Sequence, residues 1–437
     1  MMILLYFWTC GGPFGVEPAV QAGGALLTWV CMVIAALCWS LPQAIMAAEL
    51  SLMMDVNGGN IVWVKRAFGD FVAFVNAQTY LVLNLSTLAL LVYFFIQYIP
   101  GSSDFSPVVE WVVRSSFVAA VILVNLVGLE WLARLSTIFL VFIFSPFFVE
   151  MIGIVIFNVP INFSNLLWIP ETSEIDFGTL ISTVVWSFGG FDSIGSVAGE
   201  VSGKRTFMIG VLGSFPLVLL NYFWPIMLDF IIDRKLSHWD AGYFTLIVFK
   251  YFPTWLGVWF TLSSTVSNFA QCASGLAPVA WNVWAMARGE ETGVAYLPLF
   301  LSWEWQRRPG GTIRPIAGIL FTGIAILLIS AIDHKILLQV FLLLRICNLL
   351  MEYAALIYLK ISEPDTPRPF KVPGGVPGAV LLVIPTIAIS ILSIYYADIA
   401  AIRMGGIILG VIICLWPLAL LFKAFLEWGK HKKLINV

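Results

Sequence analysis

A carboxylate set beside two glycines is the first group in this chain that could do chemistry. The run is Trp186-Ser-Phe-Gly-Gly-Phe-Asp192, and Asp192 falls near the middle of an apolar stretch of spanning length. Gly is a poor helix former, and a carboxylate at mid-bilayer depth costs roughly 2.5 kcal/mol or more. Both are tolerated together where unwound backbone lines a polar cavity. Such a break frees backbone N–H and C=O groups and creates two half-helix ends. N-terminal ends favour a carboxylate, while C-terminal ends and free carbonyls favour an ammonium. Asp192 has the chemistry to pair with an ammonium or to carry a proton. Trp186, Phe188 and Phe191 flank it, and an aromatic face within about 6 Å of an ammonium contributes roughly 0.5–2 kcal/mol. A structural hydrogen bond for Asp192, and plain packing for the rings, are the competing readings.

The run Gly11-Gly12-Pro13-Phe14-Gly15 interrupts another apolar stretch near the N-terminus. Glu17 follows at the start of the outer half-helix, where a carboxylate suits the dipole as a cap or as a ligand. Glu49 sits late in the second span, Glu150 in the second half of the fifth and Glu200 at the end of the sixth. No His falls in any span, so a coupled proton needs a carboxylate. Asp192, Glu49, Glu150 and Glu200 are the proton-coupling candidates. Arg345 and Glu352 lie seven residues apart, roughly on one helix face, and Arg345 is expected to pair with Glu150 or Glu352. Glu171, Glu174 and Asp176 form an acidic loop before the sixth span. It reads either as a solvated loop or as an attractor of cations at an entrance.

The elements that must carry these groups are membrane helices. The 437 residues are 60% hydrophobic and only 11% charged, with mean hydropathy +0.95. Soluble domains carry about 25% charged residues, and long apolar runs, not short alternating ones, exclude a β-barrel. Twelve spans follow, at about 1–27, 25–54, 70–99, 111–129, 132–157, 179–201, 206–232, 254–287, 313–332, 336–359, 376–397 and 402–425. An amphipathic piece, Asn57 to Phe68, lies between the second and third. The start is read as half of a broken first span rather than a signal peptide, and a longer native N-terminus is an open expectation. With both termini cytoplasmic, sixteen of the 23 Lys and Arg fall inside, six outside and Arg345 within a span, as positive-inside sorting requires. Asn162-Phe-Ser164 is a glycosylation pattern in an outside loop. The six cysteines are scattered in apolar runs, with no disulfide or metal spacing. No metal, cofactor or nucleic-acid motif is found, and no nucleophile–base pair suggests an enzyme.

The breaks at Gly11–Gly15 and Phe188–Asp192 each begin a block of five spans. Interrupted segments at matching places in two halves mark an inverted repeat with a midplane binding site. The expected fold is therefore all-α and polytopic. Residues 1–157 form the first repeat and 179–359 the second; 376–425 are two added helices, and 426–437 a cytoplasmic tail.

Trp186-Ser-Phe-Gly-Gly-Phe-Asp-Ser193 with Ala198-Gly-Glu-Val201 resembles the sixth span of the amino acid–polyamine–organocation superfamily. Cys10-Gly-Gly-Pro-Phe-Gly-Val-Glu17 is similar to the first span of its eukaryotic polyamine uptake branch, found in plants and trypanosomatids. Trp39-Ser-Leu-Pro-Gln-Ala-Ile-Met-Ala-Ala-Glu-Leu50 and Asn57-Gly-Gly-Asn-Ile-Val-Trp-Val64 resemble the segments that follow. Glu352-Tyr-Ala-Ala355 and Glu363-Pro-Asp-Thr-Pro-Arg-Pro-Phe-Lys-Val-Pro373 resemble the tenth span and the loop after it. The resemblance implies a substrate site between spans one and six, alternating access and coupling to a proton. In bacterial relatives that exchange arginine for agmatine, the residues matching Trp186 and Asp192 bind substrate and gate. The sequence departs from the branch at Gln43, where a Glu is frequent, and before Ala270, where an acid is expected.

These readings converge on a secondary transporter importing polyamines by proton symport through a multi-pass plasma-membrane protein. An amino acid permease or exchanger is the alternative. The small cationic substrate, protons and the lipid bilayer are the expected partners, with no cofactor. A non-transporting receptor of the same fold is the reading from a different class.

Overall fold

The computed structural model describes residues 6–7, 9–54, 59–127, 129–193, 204–289, 296–306 and 313–435. Almost all of them are helical. The outer half of the first span and the whole second span run through α1 (Glu17–Ala35), a π-turn (Ala36–Ser40) and α2 (Leu41–Met53). Gly24 leaves helical geometry at φ 73 and separates the two spans. The amphipathic piece is α3 (Gly59–Phe68). Spans three to five are α4 (Asp70–Gln97), α5 (Pro107–Val127) and α6 (Leu129–Ile156). The first half of the sixth is α7 (Phe177–Ser187), and the seventh is α8 (Lys204–Phe230). A short helix that the hydropathy pattern did not separate, α9 (Tyr243–Tyr251), precedes α10 (Thr254–Arg288). The chain ends with α11 (Ile316–Ile329), α12 (His334–Ser362), α13 (Gly375–Tyr395) and α14 (Ile399–Ile435). The last helix thus continues through most of the segment read as a tail. A two-residue antiparallel hairpin pairs Trp305 with Arg314 and Gln306 with Ile313.

Seven helical segments among the described residues are long and apolar enough to cross a membrane. The side chains are arranged inside out relative to a soluble protein. Val108, Val155, Leu381 and Ile407 point outward, while Glu17, Gln43, Glu49, Asn76, Glu150, Asn221, Asp229, Arg345, Asn348 and Glu352 are buried. In lipid this order is the stable one, because apolar side chains lose nothing outside and polar ones must find partners inside.

At the centre, α12 packs against α4, α3, α7, α13 and α14, while α10 packs against α4 and α6. Here α1 and α7, the pieces adjoining the two breaks, lie side by side. The π-turn has a local cause. Pro42 has no N–H to give the carbonyl of Cys38 and would clash with it in a regular helix. The Thr386 hydroxyl of α13 donates to that carbonyl instead, at 3.0 Å. The widened turn leaves Ser40 pointing at the second break, where its hydroxyl donates to the Phe188 carbonyl at 2.6 Å.

Candidate functional site

The first helical piece ends where the N–H groups of Cys10 and Gly11 both donate to the Tyr6 carbonyl. Gly11 adopts φ +61 and lies so close to α10 that a Cβ there would stand 2.6 Å from the Gln271 Cβ. Ser267 Oγ, also on α10, donates to the Gly11 carbonyl at 3.2 Å. Gly11 is thus needed for its conformation and for its closeness. Gly11→Ala is expected to destabilise the protein by roughly 1–3 kcal/mol and to lower transport, since the Gln271 Cβ is fixed to the α10 backbone and cannot swing away. Melting of the purified variant beside its flux checks this.

Phe14, Gly15 and Glu17 complete the first break. The Gly15 N–H donates to Glu17 Oε2 at 2.8 Å and to the Tyr98 hydroxyl at 2.6 Å. The Tyr98 hydroxyl donates in turn to Glu17 Oε1, and the Gly242 N–H reaches the same oxygen at 3.3 Å. Glu17 therefore has the geometry of a buried cap for its own half-helix. Phe14 packs edge-on against Tyr98, with ring centres 5.0 Å apart.

The second break follows α7, whose N-terminus Asp176 caps by accepting from the Thr179 N–H at 3.0 Å. The acid loop thus spends one of its carboxylates on a cap, while Glu171 and Glu174 stay exposed. The helix ends at Ser187, and Gly190 adopts φ +90, a value that L side chains rarely take. Ser40 takes the Phe188 carbonyl, and the Tyr222 hydroxyl donates to the Ser187 carbonyl at 3.4 Å. The three aromatics each join a separate pair: Trp186 with Phe94, Phe188 with Tyr222, and Phe191 stacked on Phe215 at 4.4 Å. Phe94 also fills the space a Cβ on Gly15 would need, so one ring bridges both breaks. Trp186, Phe188, Phe191, Asp192 and Phe14 are all buried.

Asp192 faces α12. Arg345 holds it with both ends of its fork: Nη1 donates to Oδ2 at 2.9 Å, and Nη2 donates to Oδ1. The same fork donates to Asn348 Oδ1 and to Gln43 Oε1, each at 3.0 Å. Asn348 Nδ2 donates to Asn76 Oδ1 at 2.7 Å, carrying the network to α4. Tyr80 approaches Ser193 at 3.4 Å beside it. The expected pairing of Arg345 with Glu150 or Glu352 is thus corrected: its partner is Asp192. Helix periodicity places Arg345 on a face but cannot say which other element that face meets. Glu352 lies beside Asn60 and Asn348, yet its oxygens meet no hydrogen-bond donor among the described residues.

The other candidate acids scatter. Glu49 is fully buried and forms ion pairs with Lys360 at 2.8 Å and Arg368 at 3.1 Å. It also accepts from the Val372 N–H at 2.6 Å, so it ties the second span to the loop after α12. Next to it, the Arg66 guanidinium holds the Glu363 carboxyl below the usual carboxylate range. Glu150 faces Asp229, a residue the sequence reading passed over, and neither meets a donor among the described residues. Glu200 and the run from Ala198 to Val201 lie outside the described residues. Among the described residues no group of three His, Cys, Asp or Glu is arranged to hold a metal. Sequence reasoning passes over Asn348 and Asp229, and marks Gln43 only as a lost acid, because the role of each depends on neighbours from other helices.

Asn162 is exposed in a loop, where its side chain accepts from the Ser164 N–H at 3.0 Å. If this loop faces the secretory lumen, Asn162→Gln is expected to remove one glycan, seen as a gel shift after expression in a glycosylating host. An unshifted wild type would count against that orientation.

Two interrupted spans whose pieces pack side by side, inside a bundle with buried polar groups and an apolar exterior, define a multi-pass helical membrane protein. The chain belongs to the amino acid permease family, whose model matches residues 3–406, within the amino acid–polyamine–organocation superfamily. The family points to a transporter rather than an enzyme. Polyamine transporter PUT1 of Oryza sativa subsp. japonica is 27% identical over 424 residues, covering 94% of this chain and 76% of its own. A probable polyamine transporter of Arabidopsis thaliana is 28% identical over 440 residues, covering 98% and 88%. Polyamine transporter RMV1 of the same plant is 26% identical over 424 residues, covering 94% and 83%.

Proposed function

We propose that this chain is a secondary active transporter that imports polyamines of the putrescine–spermidine class by proton symport and alternating access. The observation that carries this reading is that the helix pieces adjoining the two breaks pack side by side and share the Phe94 ring, with a buried carboxylate, Asp192, at the second break, in a chain similar to named polyamine transporters along most of its length. Substrate would lie between the breaks, against Gly11, Gly12, Pro13, Phe14, Gly15 and Glu17 on one side, and Trp186, Phe188, Gly189, Gly190, Phe191 and Asp192 on the other. Residues 1–157 and 179–359 are read as the two inverted repeats. The plasma membrane, with both termini in the cytoplasm, is the proposed setting.

Among the proton-coupling candidates, Glu150 is favoured by its neighbour. It faces a second buried carboxyl group, Asp229, and neither meets a hydrogen-bond donor among the described residues. Glu49 is assigned a structural role, because two cations already neutralise it.

One observation favours a second reading, an amino acid permease or exchanger. Arg345 occupies Asp192, and Gln43 supplies an amide where the polyamine branch frequently has an acid. A site poorer in free carboxylates suits a dication less. Uptake of labelled putrescine in a polyamine-auxotrophic host, at two pH values and with arginine and leucine as competitors, separates the two. Putrescine uptake that rises at acid outside pH supports the first reading. Competition by arginine or leucine, with putrescine without effect, supports the second.

A further inference from the structure

We infer that Arg345 is a resident counter-cation that fills the seat of Asp192 while the carrier is empty, so that the substrate-free protein can reorient and carry net flux. The inference rests on the transport reading above and goes beyond it in saying how the empty site closes.

The geometry supports this role more than that of a generic helix clamp. Arg345 and Asp192 have side chains 2% and 1% exposed, and the guanidinium meets both carboxylate oxygens. Its remaining partners, Gln43 Oε1 and Asn348 Oδ1, are also acceptors. Asn348 is turned oxygen-first toward the guanidinium because its amide nitrogen donates to Asn76. Four oxygens from three elements therefore form a cage for one cation. The cage is not saturated: Arg345 Nε and Gln43 Nε2 have no hydrogen-bond partner among the described residues. The guanidinium is held by charge, not locked by every bond it could make.

The two partners also sit on different kinds of structure. Asp192 lies in a single 3-10 turn just past the break after α7, whereas Arg345 belongs to the unbroken α12, which packs on α3, α4, α7, α13 and α14. The ion pair spans the boundary between the interrupted helix and a continuous one.

The physical consequence concerns the empty carrier. A carboxylate that binds a substrate cation must lose that cation on the far side and then be buried again for the return. A lone charge buried without a partner is strongly disfavoured, and a carrier with that problem is driven to exchange one substrate for another. Arginine stays protonated under all physiological conditions, so Arg345 offers Asp192 a partner whenever substrate is absent. Substrate ammonium and guanidinium then compete for the same two oxygens. Glu352, buried beside the cage, leaves a further acceptor near the displaced guanidinium.

The test uses purified full-length protein in liposomes, with labelled putrescine as probe and labelled arginine as the second probe. Entry into empty vesicles is compared with entry into vesicles preloaded with the same unlabelled compound. Wild type is expected to enter empty vesicles within about threefold of its exchange rate. Arg345→Met is expected to lose net entry by at least about tenfold while exchange falls by less than about threefold. Arg345→Lys, which keeps the charge, is expected to retain net entry. A wild type that only exchanges overturns the inference without any variant, and so remains decisive if Arg345→Met fails to fold. Net entry and exchange falling in the same proportion in Arg345→Met overturns it as well. If neither probe enters wild-type vesicles in either mode, the transport reading fails and the inference falls with it.

Discussion

Replacing Asp192 with Ala is expected to abolish uptake and to destabilise the purified protein by about 3–5 kcal/mol. The stability loss comes from what the mutation leaves behind. Arg345 is buried and permanently charged, and its fork would face only the amide oxygens of Gln43 and Asn348. The transport loss comes from removing the one carboxylate at the second break. The two effects separate in the double variant Asp192→Leu/Arg345→Leu. Removing both charges together is expected to recover most of the stability, because replacing a buried pair by apolar groups is often neutral. It is not expected to recover uptake. Melting temperature and labelled-substrate uptake, measured on the same preparations, decide it. If Asp192→Ala keeps wild-type uptake, the assignment of the second break to the substrate is wrong, whatever happens to stability.

The second large effect is predicted at Glu49, for a different reason. Glu49→Ala would strand Lys360 and Arg368, whose side chains are only 7% and 4% exposed, and would orphan the Val372 N–H. The expected cost is about 3–5 kcal/mol, enough to reduce the folded yield sharply. Glu49→Gln keeps the shape and the acceptor for Val372 but not the charge, so its cost should be smaller. Fluorescence-detected size exclusion after graded heating measures both. The contact also accounts for the motif from Glu363 to Pro373. Arg368 donates to the Leu359 carbonyl at 2.8 Å and to the Glu363 carbonyl at 2.9 Å while pairing with Glu49. The motif is thus a latch that closes one end of α12 onto α2. Should Glu49→Gln prove stable but shift the pH dependence of uptake, Glu49 would belong with the proton-coupling groups instead.

Much of the architecture was readable from the chain. Hydropathy located most of the described helices to within a few residues, the last one running about ten residues past its expected end, because each helix must satisfy its own backbone bonds in lipid and so needs a continuous apolar run. The two breaks were equally visible, since Gly pairs, Pro13 and Asp192 violate that demand locally. Gly24 was less visible: one glycine in an apolar run gives no sign that it ends one span and starts another. Hydropathy also leaves α9 in a loop, because the helix is too short to span.

The partners of the polar groups were not legible. Periodicity put Arg345 and Glu352 on one face of α12 but gave no register between α12 and the sixth span, and so the choice of Asp192 could not be made. The same gap hid the meeting of Glu150 with Asp229, residues 79 positions apart on α6 and α8. Sequence alone leaves Glu17 between cap and ligand; Tyr98 and Gly242, which surround it, give it the cap geometry.

The sequence by itself determined that this is a polytopic helical membrane protein with two interrupted spans and a carboxylate at one of them. Those properties depend on single segments and their cost in lipid, which composition and spacing express directly. Only the tertiary structure decided that Asp192 is already held by Arg345, that Glu49 is a latch and that Glu150 has an acidic neighbour. Each of these depends on contacts between helices far apart in the chain, where a fraction of a turn of rotation exchanges one partner for another.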